Sequence, residues 1–369
     1  MMKRFLCLLL CIPVLLSGCK KAEKKAHTTD DHAPYKIGIV TGSAVYSEAV
    51  FEAERMAEKY NFVTTTTYAD NLSAENTIEI CTKLAEDPAI RAIVFVRAIA
   101  GIDQAIEAVK AKRPDVLFIT GADTEDAAFV SQKADICMAQ DMYSMGREIV
   151  DEAYRMGAKR LIHYTFARHL LSEPIIRRRE IMVARCNELG MEFIDVTTPD
   201  PEDAEGGGAE ARIFIEEDVP EQVGNYGSGL AFFCTDCTIH AQLIKAVLEC
   251  GAIYPQPCCP SPFHGYTSFF GIDCGRFDDP EGVLKQIANG VAQYGNTGRM
   301  ATWALSSDVL MVQAGVQYAI DYCEGRITEK ADFDHMQRIL TDFSHGRCKI
   351  TPPSSNPNCF LFLCDYYML

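Results

Sequence analysis

Lys36-Ile37-Gly38-Ile39-Val40-Thr41-Gly42-Ser43 is a short β-branched run that breaks at a glycine and a serine. It reads as a strand over 36–41. Behind it, Tyr46, Ala49, Val50, Ala53, Met56, Ala57 and Tyr60 fall on one face of a helix. Phe62–Tyr68 then reads as a second strand. Strand, helix and strand in close succession are the unit from which α/β folds with parallel strands are built.

The same alternation continues outward. Ser73–Glu86 predicts a helix, with Ser73 as its N-cap and Pro88 just beyond its end. Ala92–Val96 has the composition of a fully buried strand, and Gly101–Lys112 is a helix. Asp115–Thr120 is the next strand, running into Gly121-Ala122-Asp123. Ala134–Ala139 is a fifth strand, after which Asp141 caps a helix to Met156. A second cycle follows, with a strand at Arg160–Thr165, a helix at Ser172–Leu189 and a strand at Glu192–Val196. An acidic, glycine-rich loop from Pro199 to Gly208 leads to a helical candidate at Glu210–Glu217. Leu230–Cys234 is a strand opening into Thr235-Asp236, Thr238–Cys250 a helix, and Thr267–Ile272 a strand. Helices at Asp279–Gln293 and Asp308–Cys323 close the regular part. Beyond Ser344 prolines and asparagines leave no periodicity; the apolar run Phe360–Cys364 stops at Asp365 and is expected to pack on the body or to be poorly ordered.

The fold expected is therefore α/β, with two Rossmann-like lobes of parallel sheet flanked by helices and hinged around a ligand cleft. Residues 35–140 form one lobe, to which part of 300–343 returns. Residues 141–299 form the other, and 344–369 an irregular tail. In such sheets ligands sit outside the carboxyl ends of the strands, and two lobes can close on a small molecule by hinge motion.

The first residues carry a different message. Lys3 and Arg4 precede twelve apolar residues, Phe5 to Leu16, and Leu16-Ser17-Gly18-Cys19 follows. Basic start, short apolar core and small residues are the layout of a secretory signal, too short for a permanent membrane span. The ending resembles the bacterial lipobox, which implies lipidation of Cys19, removal of residues 1–18 and retention of the chain outside the cytoplasm on the membrane. Lys20 to Pro34 is polar, without apolar periodicity, and reads as a flexible tether.

Charge narrows the partners. The net charge is −16, yet residues 1–26 hold six basic groups and one acidic, so the body is more acidic still, at −21. Nucleic-acid binding needs basic patches and is excluded as an expectation. Sixteen cysteines fall to thirteen once Cys7, Cys11 and Cys19 are set aside, an odd number that leaves at least one free thiol or an intermolecular bond. Cys234-Thr235-Asp236-Cys237 has CxxC spacing, but the adjacent pair Cys258-Cys259 suits a tetrahedral zinc site poorly, and no metal or cofactor is expected. Arg177-Arg178-Arg179, with Arg185, reads as the solvated face of a helix. No P-loop, nucleophile elbow or HExxH pattern is present, and no catalytic residue is assigned.

An exported chain of this length with two α/β lobes resembles the type I periplasmic solute-binding proteins. Lys36–Gly42, His163-Tyr164-Thr165-Phe166-Ala167-Arg168-His169 and Cys259-Pro260-Ser261-Pro262 are similar to segments of a bacterial lipoprotein family within that superfamily, over roughly residues 35–340. The resemblance implies capture of a small polar molecule for an ABC importer. Presentation of a ligand to a membrane receptor is the alternative, and a surface-anchored enzyme a more distant one.

Candidate contacts lie at strand ends. Ser43 and Tyr46 flank the first strand-to-helix turn, where free backbone N–H groups can hold an anionic group. Arg97 follows a buried strand and can clamp a carboxylate or phosphate. Asp123 ends the fourth strand. Phe166, Arg168 and His169 follow the sixth, and Asp236 and Asp273 end later ones, where they can accept hydrogen bonds from ligand hydroxyls or amines.

Overall fold

A computed structural model describes residues 33–42, 48–68, 73–122, 130–203, 205–351 and 356–369. Its strands are β1 (Lys36–Gly42), β2 (Val63–Tyr68), β3 (Ile90–Phe95), β4 (Leu117–Ala122), β5 (Ile136–Gln140), β6 (Arg160–Thr165), β7 (Glu192–Thr197), β8 (Leu230–Cys234), β9 (Ala301–Trp303), β10 (Cys348–Thr351), β11 (Cys359–Cys364) and β12 (Tyr366–Met368). Its helices are α1 (Glu48–Lys59), α2 (Ala74–Ala85), α3 (Ile102–Lys112), α4 (Met142–Arg155), α5 (Glu173–Leu189), α6 (Gly207–Tyr226), α7 (His240–Cys250), α8 (Tyr266–Phe270), α9 (Pro280–Gln293), α10 (Ser307–Cys323) and α11 (Phe333–Ser344).

Two sheets organise these elements. The first has seven strands in the order β10-β11-β5-β4-β3-β1-β2, all parallel except β10. The second has β7-β6-β8, parallel throughout. Single bridges from Ala231 to Ile253 and from Tyr254 to Met300 continue it toward the antiparallel pair β9–β12. In both sheets the earliest strand is flanked by its second and third, so the strand order reverses there and opens a crevice above the carboxyl ends. Helices cover the sheets, and one apolar core runs from Ile37, Ile39 and Val94 of the first sheet to Leu161 and Phe233 of the second and Trp303 of β9. The architecture is α/β with mostly parallel sheets flanked by helices, as expected.

The chain passes between the sheets three times, at β5 to β6, at β9 to α10, and at β11 to β12. These passages lie side by side: the Asp141 amide donates to the Phe362 carbonyl (2.8 Å) and the Ala304 amide to the Asp365 carbonyl (2.9 Å). Asp141 caps α4 as expected, accepting from the Ser144 amide at 2.9 Å.

Four local expectations are corrected. Thr267–Ile272 is no strand: Tyr266–Phe270 is a short helix whose Tyr266 is buried, so packing overrides the strand preference of its aromatic residues. The helix expected at 210–217 runs from Gly207 to Tyr226, through Pro220, where a stop is normal. The segment after Ser344 is not irregular. β11 inserts beside β5, with Cys359 opposite Cys137, and Phe360 is completely buried. Finally, Arg178 lies in the core instead of on a solvated face.

Candidate functional site

The crevice above the two strand reversals is filled by residues that leave the strands. Glu48 begins α1 after β1, and Arg97 follows β3. From the second sheet, His169 follows β6 and Thr235 follows β8. Ser306 and Asp308 open α10, with the Ser306 hydroxyl capping the helix through the Val309 amide (3.3 Å). Together they line a cavity of about 290 Å³, at the lower end of ordinary small-molecule sites, roughly 300–1,000 Å³. A larger groove, about 840 Å³, runs along edge strand β2 and is lined from the first sheet alone. The smaller cavity draws on both sheets and holds the buried charges, and it is the candidate site.

Glu48 is the most perturbed acid in it. One carboxylate oxygen accepts from the Ser261 hydroxyl at 2.5 Å, and the other has no hydrogen-bond partner among the described residues. Burial pushes its pKa up from 4.5 to about 7, while the hydroxyls of Ser261 and Ser306 hold it back. His264 Nε2 stands 4.0 Å away, and burial lowers its pKa, keeping the ring neutral. Ser261 is fixed in turn by the Phe263 amide, which donates to its Oγ at 3.0 Å.

Arg178, in the middle of α5, enters the cavity wall from the other side. Its side chain is wholly buried, its guanidinium lies 5.1 Å above the Phe233 ring, and its Nε has no partner among the described residues. Cys237, Cys258 and Cys259 complete that wall. The Cys258 and Cys259 sulfurs are 3.6 Å apart. Hydrogen bonding to Cys259 and burial push the Cys237 thiol up, so it is held protonated. Among the described residues Cys81, Cys186, Cys234, Cys237, Cys250, Cys258, Cys274, Cys323, Cys348 and Cys364 carry free thiols. Among the described residues no cluster of His, Cys, Asp and Glu could hold a metal ion.

The residues singled out from sequence divide into three groups. Arg97 and His169 line the cavity: Arg97 pairs with Asp308 at 2.8 Å, and His169 Nδ1 lies 2.9 Å from the Thr235 hydroxyl. Phe166, Arg168, Asp236 and Asp273 are engaged beside it or away from it. Phe166 is buried under His169, with ring centroids 4.0 Å apart. Arg168 is exposed and holds Asp200 and Glu202, each at 2.9 Å. Asp236 accepts from the Thr238 amide at 2.8 Å and Asp273 from the Gly275 amide at 2.9 Å. Asp273 follows a helix, not a strand. Ser43, Tyr46 and Asp123, like Cys19, lie outside the described residues.

Glu48, Arg178, His264 and Asp308 were not among the candidates. Glu48 and Asp308 stand in the first turns of helices, as any capping acid does. His264 lies in a loop with no pattern, and burial of Arg178 leaves no mark in the chain.

Two sheets of parallel strands, three passages between them and a cleft at their carboxyl ends define the fold of the type I periplasmic binding proteins. The chain belongs to a family of proteins of unknown function (DUF3798), whose family model matches residues 35–301. An uncharacterized protein of Treponema pallidum (strain Nichols) is 30% identical over 217 residues, 59% of this chain and 98% of that one. The crystal structure of a protein from Clostridium difficile 630, described as a transcriptional regulator, superposes with a TM-score of 0.80 at 22% identity. It covers 91% of this chain and 99% of its own. The substrate-binding protein of a sugar ABC transport system from Bordetella parapertussis 12822 gives a TM-score of 0.53 at 12% identity, over 91% and 89% of the two chains. Among the described residues no helix is long and apolar enough to cross a membrane.

Proposed function

We propose that the protein is a solute-binding protein, held outside the cytoplasm by a lipid on Cys19, that captures a small polar molecule and delivers it to a membrane importer. The observation that carries this reading is the cavity between the sheets. It is about 290 Å³ in volume, drawn from both, and lined by side chains of which Glu48, Arg178 and His264 each keep one buried polar atom without a partner among the described residues. A chain built only for its own stability satisfies such groups; a binding protein leaves them for its ligand. Two lobes, one of residues 35–140 with the return of α10, α11, β10 and β11 and one of 141–299 with β9 and β12, close over the molecule by bending at the three passages. The sugar-transport protein from Bordetella parapertussis supports the reading through its shared fold.

The test is native mass spectrometry of the protein purified from its own host, followed by thermal scans against a metabolite panel. A bound small molecule at one per chain is expected, without turnover. Saturation at 100 times the dissociation constant adds about 2.7 kcal/mol of stability. Protein that carries nothing, and that no metabolite stabilises, refutes the reading.

A further inference from the structure

We propose that the captured molecule is an anion, a carboxylate or a phosphate monoester, and that Arg178 receives its charge. This rests on the solute-capture reading and names the class of solute.

A buried guanidinium is costly unless an acid or several acceptors meet it. Arg178 has neither among the described residues. Its Nη1 reaches only the sulfurs of Met142 (3.8 Å) and Met145 (3.7 Å), both weak acceptors. Burial lowers its pKa, and the groups that oppose this are sulfurs, those of Cys258, Cys259 and Cys234, with no carboxylate among them. The chain nevertheless makes room for it. A Cβ on Gly146 of α4 would stand 2.9 Å from both the Arg178 Cγ and its backbone oxygen. A glycine there lets α4 and α5 close around the side chain and aim it at the cavity.

The balance of charge in the wall points the same way. Its ionisable groups are Arg97 and Arg178 against Asp308 and Glu48, with His169 and His264 neutral. Asp308 is spent on Arg97, and Glu48 keeps its proton toward neutral pH. Below neutral pH Arg178 therefore stands as an excess positive charge inside a chain whose net charge is −16. Gln140, Thr235, Ser261 and Ser306 add neutral hydrogen-bonding groups around it. The planar guanidinium fork matches a carboxylate or phosphate bidentately, whereas a neutral sugar would leave the charge unanswered.

The experiment compares the wild type with Arg178→Met and Arg178→Lys, all stripped of ligand, in thermal scans with inorganic phosphate or acetate as probes against chloride at equal ionic strength. Arg178→Met is expected to melt higher than wild type without a probe, by about 2 °C or more, because an unpaired buried charge has been replaced by an apolar chain. Millimolar phosphate or acetate is expected to raise the wild-type melting temperature saturably, Arg178→Lys less, and Arg178→Met not at all. A response to acetate alone marks a carboxylate solute, to phosphate alone a phosphate ester. A melting temperature lowered by Arg178→Met makes the arginine a structural element and overturns the proposal, as does equal behaviour of wild type and Arg178→Met toward both probes. A neutral molecule bound to host-purified protein overturns the anion assignment while capture stands; an empty protein removes the capture reading itself.

Discussion

Glu48→Gln is the substitution whose effect the structure specifies most closely. The carboxyl is buried beside Ser261, and burial moves its pKa from 4.5 to about 7. Below pH 4.5 the folded and unfolded chains both hold the proton, and the site costs nothing. Between 4.5 and 7 the unfolded chain releases it while the folded chain keeps it, so stability falls as pH rises. Above pH 7 both states are ionised and the whole cost is present. At 1.36 kcal/mol per pH unit of displacement, that cost is about 3 kcal/mol. Glutamine keeps an oxygen to accept from Ser261 but cannot ionise, so the variant escapes the penalty.

Urea unfolding at pH 4.5, 6 and 8 reads this out. The variant should match the wild type at pH 4.5 and exceed it by about 3 kcal/mol at pH 8, with the difference opening between those limits. Glu152, also buried and raised by burial, is common to both proteins and cancels in the difference. A difference that does not change with pH would refute the argument: Glu48 would then ionise in the folded state as freely as in the unfolded one.

Three further outcomes follow from named contacts. Phe360→Ala, inside the sheet between β5 and β10, should cost about 3–5 kcal/mol in urea unfolding; a loss under about 1 kcal/mol would mean that the last strands do not belong to the sheet. Arg168→Ala removes ion pairs whose members are 45%, 29% and 60% exposed and should change stability by less than about 1 kcal/mol. Cys19→Ser should move the protein from the membrane fraction to the soluble one, and membrane retention would exclude a lipid at that cysteine.

Strands such as Arg160–Thr165 and Leu230–Cys234 were legible because each is a short run rich in apolar, β-branched and aromatic residues. α11 was missed although its signals are present: Asp332 accepts from the His335 amide at 2.9 Å, and Met336, Ile339 and Leu340 share one buried face. β11 was harder. Its apolar run is plain, yet its place beside β5 depends on a partner more than two hundred residues away, and no local pattern carries that information. The cavity was legible only where strand ends supply it. Arg97 and His169 were found by that rule, whereas the loop bearing Ser261 and His264 obeys none.

Arg177, Arg178 and Arg179 show where the limit falls. On a helix, successive residues turn by about 100°, so three neighbouring arginines cannot share one environment. Arg177 reaches Glu180 at 2.8 Å in solvent. Arg179 pairs with Asp195 on the edge of the second sheet. Arg178 is turned inward between α4 and Phe233. Composition predicts one basic cluster, and helix geometry divides it into two surface ion pairs and one buried charge. Which of the three is buried depends on the apolar residues around them, Met182 and Cys186 lying one and two turns beyond Arg178 on the same buried face. That stripe is read correctly only if an arginine is allowed to belong to it. A charge occupying a core position without an acid beside it is poor for folding, which is why the site most informative about the ligand was the one the sequence concealed.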